Sequence, residues 1–327
     1  MLKNNRQKQI NRLNRMLIYV ILIFFSVVSL LPLYWVFSTS MQLDHYQDID
    51  MERPVSYVDS NPPKMYPMGF KLYFEHWKEA REAEKVGDSE LAEHHRGMMS
   101  HIIDNTFYTF KSLFTNHDIG RWFINSLYIA VIVTFGILLF DSMAGYVLAK
   151  KRFPGRDIIF WIIISTMMIP GQVTLVPMFI MIRDLGLMDT HWALILPDLS
   201  MVFGVFLMRQ YMYSIPDELI EAAKIDGASE WKTYWKVVLP LAKPGLAALG
   251  IFTFMNVWNS FLWPIIVLNS AELHTLPVGL KTLQDANLAS FKLLMSGAAL
   301  AAIPMIVIFL IFQRYFVKGL TLGGVKE

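Results

Sequence analysis

The sequence predicts an all-α integral membrane protein with six transmembrane helices and a helical insertion outside the bilayer after the first of them. Three observations carry this. Hydrophobic residues make up 54% of the 327 and charged residues only 17%, the profile of a chain whose solvent is largely lipid. Crossing about 30 Å of hydrocarbon takes about 20 apolar residues, and six runs meet that length: Met16–Phe37, Asn125–Lys150, Ile158–Ile182, Trp192–Tyr213, Pro244–Leu268 and Leu293–Phe316. Lys and Arg, finally, fall on alternate connections, as the positive-inside rule requires of a multi-pass chain.

The elements follow in order. Residues 1–15 carry Lys3, Arg6, Lys8, Arg12 and Arg15 and read as a cytoplasmic N-terminus. The first span, 16–37, is too long for a removable signal peptide and lacks a small-residue cleavage site after it. Lys150, Lys151, Arg152 and Arg156 mark the second connection as cytoplasmic. Lys224, Lys232, Lys236 and Lys243 mark the fourth, and Arg314, Lys318 and Lys326 the C-terminus. The third and fifth connections are nearly free of positive charge, so both termini are expected inside a multi-pass cell membrane protein. A net charge of +2 gives no reason to expect nucleic acid as a partner.

Residues 41–121 form the one stretch of soluble-domain composition. Its first part is rich in Pro and turn formers; its second has helical spacing interrupted at Gly87-Asp88-Ser89, which suggests a helical hairpin. His94, His95 and His101 invite a metal reading. His94 and His101 share a helix face, yet neither has the i, i+4 partner and acidic base of the zinc-protease motif, so a solvated face with no metal is expected. The absence of Cys removes disulfides and thiol catalysis. No nucleophile elbow or phosphate-binding loop is present, and no catalytic residue is expected.

The most ordered polar segment lies between the fourth and fifth spans: "SIPDELIEAAKIDGASEWKTYWKVVLPLAKPG". Ser214 and Asp217 have capping-box spacing, with Pro216 where its missing N–H costs nothing. Leu219, Ala222 and Ala223 form one small apolar face with Glu221 beside it, and Asp226-Gly227 closes this first helix with a left-handed cap. A second helix from Ser229 carries Trp231, Tyr234, Trp235 and Val238 and should end before Leu239-Pro240. Helix, glycine corner and helix make a stiff L, which suits a docking element or an amphipathic hairpin lying on lipid.

The spacing in that segment is specific. Glu221, Ala222 and Ala223, three residues, Gly227, nine residues, Val237, one residue, Leu239 and Pro240 resemble the EAA signature of membrane subunits of binding-protein-dependent ABC importers, with Val237 where Ile is usual. "KRFPGRD", "MMIPGQVTLVPMF", "LGLMDTHWALILP", "WNSFLWPIIVL", "TLPVGL" and the terminal "GLTLGGVKE" are similar to the maltose-type carbohydrate permeases, specifically the second, six-span subunit. The long outside segment departs from that pattern.

The resemblance implies a type I importer permease fold with a core of residues 122–316 that includes the coupling loop 214–240. It also implies a second permease subunit, two ATPase subunits that bind ATP and Mg, an extracytoplasmic solute-binding protein, and no cofactor in this chain. Glu221, Ala222, Ala223, Asp226, Gly227, Leu239 and Pro240 would couple to the ATPase. In the tail 317–327, Leu322, Gly323, Gly324 and Val325 would reach between the ATPase subunits. A proton-coupled carrier or a transmembrane sensor is the alternative. It fits poorly: Asp141 is an intramembrane carboxylate more suited to a hydrogen bond with a neighbouring helix, and the longest expected cytoplasmic segment is merely Tyr213–Lys243. For the translocation lining, Gln172 after Pro170-Gly171 and Asn256, Trp258, Asn259 and Trp263 in the fifth span combine hydrogen-bonding groups with flat aromatic faces that suit sugars.

Overall fold

The computed structural model describes residues 2–41, 68–285 and 291–321, and among these every regular element is helical. The chain divides into two compact units, one comprising residues 1–117 and 283–300, the other 118–282 and 301–327.

In the first unit, α1 (Leu2–Ser40) contains the span Ile18–Ser40. The expected hairpin is present as α2 (Met68–Val86) and α3 (Ser89–Asn116). Gly87 turns the corner at φ +83°, a left-handed conformation that favours glycine, and Asp88 caps α3 by accepting from the Leu91 N–H at 3.0 Å. The two helices meet through Ala80, Ala83 and Ala92, all nearly inaccessible.

The second unit is built on α4 (Ile119–Lys150), which begins six residues earlier than the apolar run suggests. Its buried positions, Ile129, Val133, Ile137, Asp141, Gly145 and Leu148, recur at helical spacing, while Ile124, Val131, Phe135 and Phe140 face outward as lipid-facing residues do. The third run is broken. After the left-handed Gly155, α5 (Arg156–Ser165) and a short 3-10 turn bend by 99° at Ile169-Pro170 into α6 (Gly171–Asp184). Proline 170 cannot continue the helix, which explains the break.

The fourth run divides into α7 (Trp192–Ile195), a 3-10 turn at Leu196–Asp198 and α8 (Val202–Tyr213). The polar segment between the fourth and fifth runs holds α9 (Asp217–Ile225), α10 (Glu230–Thr233), a π-helical turn at Tyr234–Val238 and α11 (Leu239–Leu241). It then bends by 78° into α12 (Lys243–Trp258), followed by α13 (Leu262–Val267), α14 (Leu276–Asp285) and α15 (Phe291–Thr321). The fifth run breaks at 259–261, and Pro264 sits in the first turn of α13, where its missing N–H costs nothing.

Among the described residues, four helices are long and apolar enough to cross a bilayer, and up to six spans result if each bent pair counts as one. The core joins α4, α8 and α12 through Val133, Met208, Met212 and Leu249, with Val238 of the π-helical turn packed among them. Close approach depends on small residues: a Cβ on Gly145 would stand 2.7 Å from Met208 Cβ.

Candidate functional site

The L-shaped segment forms, with three departures from the sequence reading. Its corner is a complete Schellman motif: the Ala228 N–H donates to Ala223 O at 2.9 Å, the Gly227 N–H donates to Lys224 O at 3.0 Å, and Gly227 has φ +74°. Asp226 is the C-cap and its backbone N–H donates to Ala222 O. The expected capping box is absent. Ser214 Oγ instead donates to Tyr211 O, Pro216 precedes α9 without a side-chain cap, and Asp217 pairs with Lys150 at 2.6 Å. A lysine ammonium is the stronger partner, and its hydrogen bond holds the Asp217 carboxyl below its ordinary range.

The buried face of α9 is Ile220 with Ala223, so Leu219 and Ala222 turn outward with Glu221 and with Ile225, which is 87% exposed. Trp231 and Trp235 stack on each other and are also exposed. The second arm does not stop before Leu239-Pro240: the helix runs on through Leu241. The π-turn before Pro240 shifts the hydrogen-bond register, which accommodates a residue that has no N–H to give.

Both arms are tied to the end of α4 by residues that the sequence suggested only as topological charges. Lys150 Nζ donates to Ile215 O at 2.5 Å as well as to Asp217. Lys151 pairs with Glu230, which also accepts from Tyr146 OH at 3.2 Å. Tyr234 OH lies 2.7 Å from Ser142 Oγ and its ring packs on Tyr146. The elbow is thus clamped to one transmembrane helix by two lysines and two tyrosines. Residues 322–327 lie outside the described residues, and with them Leu322, Gly323, Gly324 and Val325.

Further along α4, Asp141 is fully buried. Its carboxylate accepts from Ser200 Oγ at 2.7 Å and from the Met201 N–H at 3.1 Å, so it caps the start of α8, where unpaired N–H groups point. The fit is close: a Cβ on Gly204 would fall 2.0 Å from Asp141 Oδ2.

A cavity of about 280 Å³ adjoins this cap, lined among others by Asp198, Ser200, Thr253, Asn256, Ser260 and Trp263. Of the five residues expected along the translocation path, Asn256 and Trp263 border this cavity. Trp263 is also fixed by its Nε1–H, which donates to Ala193 O at 2.9 Å. Trp258 is instead 2% exposed, packed on Phe254 and Phe123, with its Nε1–H donating to Ala301 O. Asn259 caps α12 by donating to Met255 O, and Gln172 lies on α6 outside the lining. One buried polar group in the lining, Thr253 Oγ1, lacks a partner among the described residues, and the exposed Asp198 carboxylate opens onto the same cavity. Neither stood out in the sequence, where Asp198 read as part of an apolar run.

At the other end of α4, side chains hold the segment that follows α13. Trp122 donates to Ala271 O, Asn125 to Glu272 O and His274 O, and Ser126 Oγ accepts from the Leu276 N–H. Asp189, at φ +56°, accepts from the Asn269 and Ser270 N–H groups and from Ser270 Oγ, and these bonds hold its carboxyl below the ordinary range.

Broken spans around a polar cavity, with a rigid elbow clamped beneath them, define a membrane-embedded transport component. The model of the family described as binding-protein-dependent transport system inner membrane component matches residues 141–322, and the chain belongs to this family. The chain is 40% identical over 225 residues to the arabinooligosaccharides transport system permease protein AraQ of Halalkalibacterium halodurans, covering 68% of this chain and 79% of that one. It is 37% identical over 203 residues to the sn-glycerol-3-phosphate transport system permease protein UgpE of Yersinia pestis, covering 62% and 72%. Among solved structures, a chain of a bacterial ABC transporter that imports the acidic polysaccharide alginate superposes with a TM-score of 0.64 at 25% identity, over 93% of this chain and 97% of that one. The protein is therefore a multi-pass inner-membrane permease with the type I importer fold.

Proposed function

We propose that this chain is one of two permease subunits of an ATP-driven importer and that its substrate is a neutral oligosaccharide delivered by a solute-binding protein. Two ATPase subunits bind ATP and Mg beneath it, and both termini face the cytoplasm. The observation that carries the coupling role is the clamped elbow. Leu219, Ala222 and Ile225 at i, i+3 and i+6 offer an apolar stripe with Glu221 beside it, on a support that Lys150 and Lys151 anchor to α4. Swinging a two-state transporter from 1:99 to 99:1 takes about 5.5 kcal/mol of differential docking, which a rigid element can transmit.

The cavity supports a neutral substrate. Hydroxyls of Ser200, Thr253 and Ser260, the Asn256 amide and the Trp263 indole suit a polyol, and no Lys, Arg or His is among the lining residues. The Asp198 carboxylate in the lining would repel an anion. This favours an uncharged oligosaccharide, as in the arabinooligosaccharide systems, over a phosphate ester or a uronate polymer.

The test is ATP hydrolysis by the reconstituted complex with its binding protein, stimulated by neutral and by acidic oligosaccharides. Stimulation by neutral sugars alone is expected, and Asp198→Lys should reduce transport of the neutral sugar. Preference of the wild type for acidic sugars would overturn the charge argument while leaving the permease reading intact. For orientation, single Cys residues at Ala271 and Ser229 should be labelled by an impermeant reagent from outside and from inside respectively.

A further inference from the structure

We propose that His76, Glu79 and His95 form a divalent-metal site that clips α2 to α3, with zinc the ion it fits best. His76 and Glu79 lie at i, i+3 and share the face of α2 turned towards α3, and His95 answers from across the hairpin. The three donor atoms converge on one point. His76 Nδ1 and His95 Nδ1 are 3.0 Å apart, and Glu79 Oε2 stands 3.4 Å from the first and 3.3 Å from the second.

Four ligands about 2.0–2.1 Å from a zinc ion at tetrahedral angles are separated by roughly 3.3–3.4 Å. The observed triangle has the size of one face of that tetrahedron, and the fourth position is left for water. A hydrogen bond between two imidazoles needs only its own pair of atoms. It gives no reason for a carboxylate oxygen to stand nearly equidistant from both nitrogens. Two imidazoles with one carboxylate suit zinc and disfavour magnesium or calcium, which prefer sets of oxygen ligands.

The surroundings give the site a purpose. The buried apolar residues near it are Ala80, Ala83 and Ala92, small side chains that bury little apolar area. With no Cys in the chain a disulfide cannot hold the two helices. The imidazoles are sheltered, with side chains 19% and 15% exposed, whereas Glu79 at 54% lies on the open side by which an ion would enter. His94, whose ring meets His95 edge-on at 5.6 Å, lies outside the triangle and serves as a control. The cluster is not visible in the sequence of α3 alone, where His94 and His101 share a face, because two of its ligands come from α2.

The experiment uses the full-length permease in its complex, freed of any polyhistidine tag, stripped with chelator and then titrated with zinc chloride. Bound metal is measured by mass spectrometry and hairpin order by amide hydrogen exchange. One zinc per chain is expected, with slowed exchange in α2 and α3 that is lost on chelation. His76→Asn and His95→Asn should each abolish the bound zinc and the chelator response, Glu79→Gln should weaken binding, and His94→Asn should keep it. Equal zinc content in wild type and in the His76→Asn/His95→Asn double variant would overturn the proposal and leave a metal-free hydrogen-bonded cluster. So would a wild-type hairpin whose exchange ignores zinc and chelator alike.

Discussion

Replacing Lys150 with Met tests how the elbow is held. The substitution keeps the apolar stem and removes the ammonium from a side chain that is only 4% exposed. Nζ has three protons and three acceptors: Ile215 O at 2.5 Å, Asp217 Oδ1 at 2.6 Å and Tyr213 O at 3.5 Å. Asp217 is 66% exposed and re-solvates when released, so that pair contributes under about 1 kcal/mol. The carbonyl of buried Ile215 loses a charged donor, which costs about 1–3 kcal/mol. The 3.5 Å contact is at the limit of hydrogen bonding and adds little. The total of about 2 kcal/mol lowers the ordered elbow population roughly 30-fold relative to its loosened form.

In proteoliposomes this should appear as fewer substrate molecules moved per ATP hydrolysed, with the complex still assembled and residues 215–220 exchanging their amide hydrogens faster. Asp217→Asn should cost less than about 1 kcal/mol, since only the exposed pair is lost. Lys151, Arg152 and Arg156 remain to maintain topology. Unchanged exchange at 215–220 together with an unchanged transport ratio in Lys150→Met would refute the clamp.

The other predictions are briefer. Gly227→Leu should destabilise the elbow by about 1–2 kcal/mol through its left-handed φ alone, because a Cβ there meets open space, and transport should fall with assembly retained. Asp141→Ala leaves the Met201 N–H and Ser200 without their acceptor and should cost about 1–3 kcal/mol, read as a lower Tm in detergent. Gly279→Ala puts a Cβ 2.1 Å from the Trp122 ring and should cost about 3 kcal/mol, with the indole bond to Ala271 lost and the fluorescence of Trp122 altered. Asp189 has a depressed pKa in the folded chain, so its clamp contributes fully above the ordinary carboxylate pKa and weakens as pH falls through the lower folded value. Protection of the Asn269 and Ser270 amides should therefore survive at pH 5 and fade only below about pH 4; loss already at pH 5 would contradict the assignment.

Hydrophobic run length and the placement of Lys and Arg were enough to establish the all-α membrane class, since lipid admits few alternatives to a helix for a spanning backbone. The glycine corner at Gly227 and the hairpin break at Gly87 were equally legible, because a left-handed cap has a local signature. The EAA spacing carried the family, and the match over residues 141–322 agrees with it.

Legibility ended where partners lie far apart in the chain. Ser214 and Asp217 have the spacing of a capping box, but Lys150 is a stronger partner for the carboxylate and arrives from 67 residues away. Which face of α9 is buried depended on what packs beneath it, so Ile220 and not Leu219 turned inward. Trp258 and Trp263 are alike in sequence; one fills a gap among Phe123 and Phe254 and the other borders a cavity, a distinction set by helix rotation after the break at 259–261. Local chemistry is written in neighbouring residues and was determined by the sequence itself. The place of Asp198 in the cavity lining, the lysine clamp and the His76–Glu79–His95 triangle required tertiary structure, because each depends on atoms brought together by helix packing that no single segment encodes.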